Sequence, residues 1–282
     1  MNIFFVKYFN RAIFFFKRKI FFSVLYFKIN KFFRNIIFSS SIKSIKVLKP
    51  STNLLRLGTK YGGWTFLNSS DLRNSTIISC GAGEDISFDI DFINYYDGKI
   101  ILVDPTPKAI IHYNEVISKS GQKKKIDVFS YGKVNCNSYD LTNINKSNLF
   151  FVNKAVDISS GVAKFYSPKI STNTSSSLIK EGMYDNKSYI LVDTISIKDL
   201  IIQYHIQNIP LIKLDIKKKE IEVIKDLIIK KIFPKQILVD FEGLFLPSKA
   251  SIDDFKRTHE MLLQNNYKLT NIEGQNYSYA IF

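Results

Sequence analysis

The sequence predicts an α/β fold built on a mostly parallel sheet, and three observations predict it. An apolar strand, Thr76-Ile77-Ile78-Ser79-Cys80, runs into Gly81-Ala82-Gly83-Glu84-Asp85, a helical stretch follows, and Lys99-Ile100-Ile101-Leu102-Val103 closes on Asp104-Pro105. From there to about residue 265 strand-like and helix-like segments alternate, which implies parallel strands joined by crossover helices. The chain then ends on two strand-like runs, 267–272 and 277–282, close enough to pair antiparallel.

In order, the region from Lys49 to Gly63, with Pro50, Gly58, Gly62 and Gly63, reads as a linker or hairpin. Apolar runs place strands at 76–80, 99–103, 149–156, 210–215 and 235–241. Helical periodicity places helices at 86–96, 106–119, 196–206, 218–231 and 251–265. Residues 158–192, rich in Ser, Thr and Lys, form an excursion between the two halves of the sheet. No internal repeat is visible, and the abundance of Ile, Asn and Lys is a compositional bias with little chemical meaning.

With 282 residues, 45% of them hydrophobic and 23% charged, the chain can bury a large core. Its net charge of +15 is concentrated at the front: residues 1–50 hold eleven Lys or Arg, no acid, and twelve of the 24 phenylalanines. Clusters such as Phe14-Phe15-Phe16 beside Lys17-Arg18-Lys19 suit the headgroup boundary of an anionic membrane, where rings enter the acyl region and cations meet phosphates. Uncharged runs there reach eight residues, as in Ile20–Phe27, against roughly 20 needed to span. No signal-peptide pattern is present, so the segment is expected to remain attached. Lys7, Arg11 and Arg18 share a helical face while Lys19 and Arg34 fall on others, so packing against the main domain or a second subunit, and a basic arm for nucleic acid, stay open as readings of residues 1–50. Nothing downstream resembles a nucleic-acid-reading module, and no nucleic-acid partner is expected.

Cys80 and Cys136 make no disulfide framework and no metal-binding pair, which fits a reducing, cytoplasmic setting, peripheral to the inner membrane face if the front end binds lipid. His112, His205 and His259 lie one per predicted helix and read as surface or helix-end residues rather than metal ligands.

The chemistry is carried by the strand ends. A strand stopping at Gly-x-Gly presents backbone N–H groups at a helix start, and Asp104, 21 residues after Gly83, is placed to accept both hydroxyls of a ribose. A dinucleotide-binding turn wants a third glycine where this chain has Ile86, and Glu84 and Asp85 would repel a pyrophosphate. S-adenosylmethionine, with a ribose, no phosphate and a cationic sulfonium, fits such a turn, whereas a nicotinamide dinucleotide does not. Cys80, Gly81, Ala82, Gly83, Glu84, Asp85, Asp104 and Pro105 are the candidate binding residues. Acids also end two later strands, Asp215 after Leu211–Leu214, and Asp240 with Glu242 after Ile237–Val239. In open α/β sheets the ligand crevice lies beyond those ends.

With these residues in hand, the chain resembles the FkbM family of S-adenosylmethionine-dependent methyltransferases, within it a subgroup whose second strand ends in Asp104-Pro105-Thr106-Pro107. The resemblance spans roughly 60–282 and rests on Gly81 through Asp89, Asn153-Lys154-Ala155-Val156, Gly161, Phe165-Tyr166-Ser167-Pro168 and Ser175-Ser176-Ser177-Leu178. It continues through Val192–Leu200, Leu211–Ile216 and Pro234–Phe241. It implies a class I methyltransferase (Rossmann-like) sheet from about residue 51 onward, adds Ala155 to the cofactor side, and implies methyl transfer to a hydroxyl of a saccharide or polyketide-like product. Where the family commonly reads Asp-Ile-Glu-Gly-Ala-Glu this chain reads Asp215-Ile216-Lys217-Lys218-Lys219-Glu220, and Glu242 stands where the family has histidine.

A sugar hydroxyl is a weak nucleophile, so a carboxylate that takes its proton, or acids that hold a cation, are expected at the site. Asp215 is the expected general base, with Asp240 or Glu242 orienting the acceptor; a divalent metal is compatible with these acids but not indicated. Lysines 217–219 at a helix start oppose the helix dipole and point to an anionic acceptor. The alternative is a noncatalytic S-adenosylmethionine-binding or scaffold protein whose acceptor site has drifted.

Overall fold

A strand that is apolar at nearly every position must be covered on both faces, and the central strands of this chain are. The structure, a computed structural model, describes residues 29, 32, 36, 45, 53–122, 139–168, 176–180 and 188–282. Along it run β1 (Leu54–Leu57), β2 (Trp64–Leu67), β3 (Thr76–Cys80), α1 (Ser87–Tyr96), β4 (Lys99–Val103), α2 (Pro107–Ser118) and β5 (Leu149–Val152). Then follow β6 (Ala155–Val156), β7 (Gly161–Tyr166), β8 (Tyr189–Ile195), α3 (Ile197–Gln203), β9 (Leu211–Leu214), α4 (Glu220–Ile229), β10 (Gln236–Asp240), α5 (Lys249–Gln264), β11 (Tyr267–Glu273) and β12 (Asn276–Ile281).

Seven strands form the main sheet in the order β11-β12-β10-β9-β3-β4-β5. β12 is antiparallel to both β10 and β11, and the remaining pairs are parallel. The chain leaves β3 toward β4 and β5 on one side, then returns to β9 and β10 on the other. The order therefore reverses between β3 and β9, the place where a ligand crevice opens in such sheets. Ile77, Ile100, Leu102, Leu149, Leu211 and Leu238 meet Phe88, Phe92 and Tyr96 of α1 and Trp64 and Phe66 of the β1–β2 hairpin in one buried cluster. Phe66 meets Phe88 edge-on, with centroids 5.8 Å apart, a geometry that contributes about 1 kcal/mol beyond area burial. At the other side of the sheet Phe255 of α5 packs edge-on against Phe241 and Tyr277. Thr106 caps α2 and Pro107 opens it, so Asp-Pro-Thr-Pro is a strand end and a helix start in four residues.

The structure departs from the sequence reading in identifiable ways. The single strand expected at 149–156 is two, because the chain turns at Asn153-Lys154 and β6 pairs with β8 instead of continuing beside β4. The excursion holds a second sheet, ordered β6-β8-β7, with its own small core of Ala155, Phe165 and Val192. The glycine-rich region is a hairpin, β1 pairing with β2. Two of the three histidines are buried rather than superficial: His112 bonds Tyr139 through Nε2 at 3.2 Å, and His259 bonds Tyr279 through Nδ1 at 3.0 Å.

The chain divides into two units, residues 1–45 with 243–253 and residues 46–242 with 254–282, and the β1–β2 hairpin and the two larger sheets belong to the second. Of the basic front end only Ile29, Phe32, Ile36 and Ile45 are described, the first three helical and exposed, so the membrane face expected of residues 1–50 lies outside the described residues. Cys136 and Ser175 lie outside them too. Among the described residues no helix is long and apolar enough to cross a membrane.

Candidate active site

The crevice at the β3–β9 switch begins with a backbone constraint. Gly81 adopts φ +88°, and a Cβ there would sit 2.1 Å from the Asp215 carbonyl oxygen, so only glycine lets β3 and β9 approach this closely. The Asp215 N–H donates to the Cys80 carbonyl at 2.9 Å, which seals the approach. Cys80 contributes backbone only; its side chain is fully buried, and burial pushes its thiol up to about 12.

Asp104 closes the turn. Its Oδ2 accepts from the Ala82 and Gly83 N–H groups at 2.9 and 3.0 Å, and its Oδ1 accepts from the Thr106 N–H and Oγ1 at 2.7 and 2.6 Å. Those four bonds fill the acceptor directions of an ionised carboxylate. The acid expected to wait for a ribose is thus also the brace of the glycine turn. Two further amides of the turn are engaged: Ile86 N–H donates to Tyr139 Oη at 3.1 Å and Ser87 N–H to Asp85 Oδ1 at 3.0 Å. Asp85 also accepts from Thr59 Oγ1 at 2.6 Å, and Glu84 lies 3.8 Å from Lys108. Four N–H groups of the turn, those of Ala82, Gly83, Ile86 and Ser87, are therefore satisfied internally, and with Glu84 and Asp85 beside them this helix start is poorly suited to a pyrophosphate. Gly83 faces open space instead, with no atom within 4 Å of where a Cβ would be.

Beneath the turn two motifs that read separately in the sequence meet. Lys213 of β9, 2% exposed, donates from Nζ to the Gly81 carbonyl at 2.9 Å and to Ser79 Oγ at 3.3 Å. Its ammonium lies 3.9 Å from Asp89 of α1, which is fully buried and whose carboxyl burial pushes up against the opposing pull of Lys213. The ion pair fixes the direction of the Gly81 carbonyl and so of the amides that follow it. A lysine inside Leu-Ile-Lys-Leu, in a strand buried on both faces, required a buried partner. Asp89, one helical turn beyond Asp85, was the signal for it.

The carboxyl ends of β9 and β10 form the second half. Lys217 Nζ sits among Asp215 Oδ1 at 2.9 Å, Asp240 Oδ2 at 2.7 Å and Glu242 Oε2 at 3.3 Å. The three predicted acids do converge, and a lysine read from sequence as pointing to an anionic acceptor joins them. Burial alone would lower Lys217, but the three carboxylates outweigh it and hold the ammonium well above its usual range. Burial likewise raises Asp215, yet Lys217 and Lys213 outweigh it and hold Asp215 below the usual carboxylate range. Asp240 goes the other way, pushed up to about 6 by burial and by the neighbouring Asp215 and Glu242 charges against the pull of Lys217. Glu220, 2% exposed, accepts from the Glu242 N–H at 3.0 Å and is pushed by burial to about 8.

α4 begins at Glu220, so the three lysines precede it, Lys218 at φ +68° and Lys219 as the cap. Lys219 pairs with Asp157 at 3.0 Å and Glu222 at 2.7 Å. Internal carboxylates thus neutralise Lys217 and Lys219, and their placement requires no anionic acceptor. Ser177 Oγ donates to the Lys217 carbonyl at 2.8 Å, which brings the Ser-Ser-Ser motif to the site. Ala155 lies in the small second core with its side chain buried, while Asn153, exposed just past the end of β5, faces outward at the same edge of the sheet as Asp104. Pro105 is half-buried between Asp104 and Thr106. Among the described residues no group of three His, Cys, Asp or Glu is disposed to hold a metal ion.

These features fit S-adenosylmethionine: a reversal of strand order between β3 and β9, open space over Gly83, an acid at the end of β4, and a turn with two acids and four amides already engaged. Gly81, Gly83, Asp104 and Asn153 are the residues that would hold it.

A family match agrees with that reading. The model of the methyltransferase FkbM domain matches residues 79–269. No curated protein matches the chain in sequence. Among solved structures, a fibrillarin–Nop5p complex is similar over 74% of this chain and 72% of its own, at 13% identity and a TM-score of 0.39. The Methanococcus jannaschii fibrillarin pre-rRNA processing protein is similar over 85% of each chain at 12% identity and a TM-score of 0.38. M. jannaschii TYW2 in complex with AdoMet covers 84% of this chain and 87% of its own, at 10% identity and a TM-score of 0.29. On the family match, which spans more than half of its length, the chain belongs to the FkbM methyltransferase domain family and is an S-adenosylmethionine-dependent methyltransferase.

Proposed function

We propose that the protein methylates a hydroxyl oxygen of a saccharide or glycolipid-type acceptor, with Asp240 as the general base. Bound S-adenosylmethionine supplies an electrophilic methyl group on a sulfonium. The chain's own task is to align the acceptor oxygen and to receive its proton as the new bond to carbon forms. A carboxylate near pKa 6 is ionised at neutral pH and still basic enough to help, and Asp240 is the member of the acid set with that property. Asp215, the base expected from sequence, is held ionised by two lysines and is the weaker base of the pair. In this reading Asp215 and Lys217 hold Asp240 in place, and the single observation that carries the reading is the Lys217-centred acid set at the ends of β9 and β10.

The test is methyl transfer from S-adenosylmethionine by the full chain to methyl glycosides of hexoses and 6-deoxyhexoses. Asp240→Asn is expected to lower kcat by roughly a hundredfold, leave S-adenosylmethionine affinity unchanged, and remove the acid limb of the pH–rate profile near pH 6. Unchanged turnover in the variant would assign the base elsewhere. The basic, phenylalanine-rich residues 1–50 support, on composition, a further proposal that the enzyme works at an anionic membrane surface. Flotation with phosphatidylglycerol vesicles but not phosphatidylcholine vesicles is expected; equal behaviour with both would remove that proposal.

A further inference from the structure

The hairpin turn over the acid set is built with more care than a connection between two short strands requires. Residues 58–63 join β1 to β2, and α1 straps them down: Gly58 N–H donates to Asp91 Oδ2 at 2.9 Å, Thr59 N–H to Ser87 Oγ at 2.8 Å, and Thr59 Oγ1 to Asp85. Arg56 holds the other side, its guanidinium donating to the carbonyls of Gly58, Thr59 and Lys60 at 3.3, 2.9 and 3.3 Å, while its Nε reaches Glu273 of β11 at 3.4 Å. Gly62 leaves no room either, since a Cβ there would meet the Asp85 carboxyl at 2.5 Å.

Out of this braced turn one aromatic ring projects. Tyr61 is 72% exposed, although its own N–H is fixed on Thr59 Oγ1 at 3.2 Å. Its phenol is pushed above its usual range, first by burial, and it feels the charges of Lys217, Asp215, Asp85 and Asp240, so the hydroxyl end lies toward the acid set although most of the residue is open to solvent. Leaving a large ring in water forgoes the roughly 2 kcal/mol its burial would contribute, and bracing its backbone forgoes the freedom of an ordinary hairpin loop. An exposed ring on a braced backbone, next to hydrogen-bond acceptors, has the chemistry that recognises a pyranose. The apolar C–H face of the sugar covers the ring, and its hydroxyls reach the carboxylates.

We propose that Tyr61 is the stacking platform for a pyranose ring of the acceptor and so selects a saccharide hydroxyl for delivery to Asp240. The inference rests on the methyltransferase reading above and names the acceptor class of that same site. An extended alkyl or polyketide chain has no ring face to match the platform.

The experiment measures binding of the same methyl glycosides to the full chain by saturation-transfer NMR, with S-adenosylmethionine titrated separately by calorimetry. Wild type, Tyr61→Phe and Tyr61→Trp are expected to bind glycosides alike, because the ring face is kept. Tyr61→Ala is expected to lose at least tenfold in glycoside affinity while its S-adenosylmethionine affinity stays at the wild-type value. Equal glycoside binding by Tyr61→Ala, or no glycoside binding by wild type that still binds S-adenosylmethionine, overturns the platform and leaves the methyltransferase reading standing. Glycoside binding that depends on Tyr61 in a protein without S-adenosylmethionine binding would keep the platform and remove that reading. Since Tyr61 is exposed, its substitution is not expected to unfold the protein, and unchanged thermal melting of the variants verifies this.

Discussion

The two halves of the crevice handle charge in opposite ways. At the ends of β3 and β4, Asp85 and Asp104 are satisfied mainly by backbone N–H groups and neighbouring hydroxyls, so each fixes a piece of chain. At the ends of β9 and β10 the acids face another side chain, Lys217, and one another. The first half is a template whose shape is set by bonds from backbone N–H groups. The second is an electrostatic balance, in which changing one member moves the proton affinity of all the others. A cofactor site benefits from the former and a proton-accepting site from the latter.

Substitutions on the two sides should therefore fail differently. Gly81→Ala is expected to have the largest effect, because its Cβ would meet the Asp215 backbone at 2.1 Å in a left-handed conformation. Overpacking and backbone strain together predict about 3 kcal/mol or more of destabilisation at every pH, read by urea denaturation. A loss under about 1 kcal/mol would mean that the two strands are not locked at this point. Next, Lys217→Met removes the cation from three carboxylates and is expected to cost about 3 kcal/mol at neutral pH, with the loss shrinking as acid protonates them. Denaturation at pH 7 and pH 4 measures this, and a pH-independent loss would contradict the balance.

A further effect, confined to one range of pH, is expected at Glu220. Its folded-state pKa of about 8 lies above the ordinary 4.5, so the folded state holds the proton more tightly. Stability from this group is present below pH 4.5 and drains away as the pH rises toward 8. Glu220→Gln mimics the protonated form, so wild type should lose more melting temperature than the variant between those pH values. Parallel melting curves across the window would show that Glu220 ionises normally.

The comparison also explains what could be read from sequence. The template half was legible because its information is local: an apolar strand, Gly81 and Gly83, an acid at 104, and Pro107 opening a helix are all marked within 32 residues. The strand ends at Asp215 and Asp240 were legible for the same reason. The balance half was not, because Lys217 takes its meaning from Asp240 and Glu242, which reach it through the β9–β10 pairing. Judged by its own helix it looked misplaced; judged by its neighbours in space it is neutralised. Tyr61 was overlooked because its glycine neighbours marked only a turn, and nothing local says what that turn overhangs. The β6-β8-β7 sheet was missed although β8 opens on Tyr189-Ile190-Leu191-Val192, because the Ser-, Thr- and Lys-rich residues before it masked that run and its pairing with β6 and β7 is not marked locally.

The central claim is that the turn at Gly81–Ser87, with the amides of Ala82, Gly83, Ile86 and Ser87 already engaged and two acids in it, accepts a nucleoside sulfonium and rejects a dinucleotide. Calorimetric titration of the full chain with S-adenosylmethionine, and separately with NADH, tests it most directly. Micromolar binding of S-adenosylmethionine, abolished by Asp104→Ala, with no binding of NADH, is the predicted result. Folded protein that ignores S-adenosylmethionine, or that binds NADH as tightly, would contradict it.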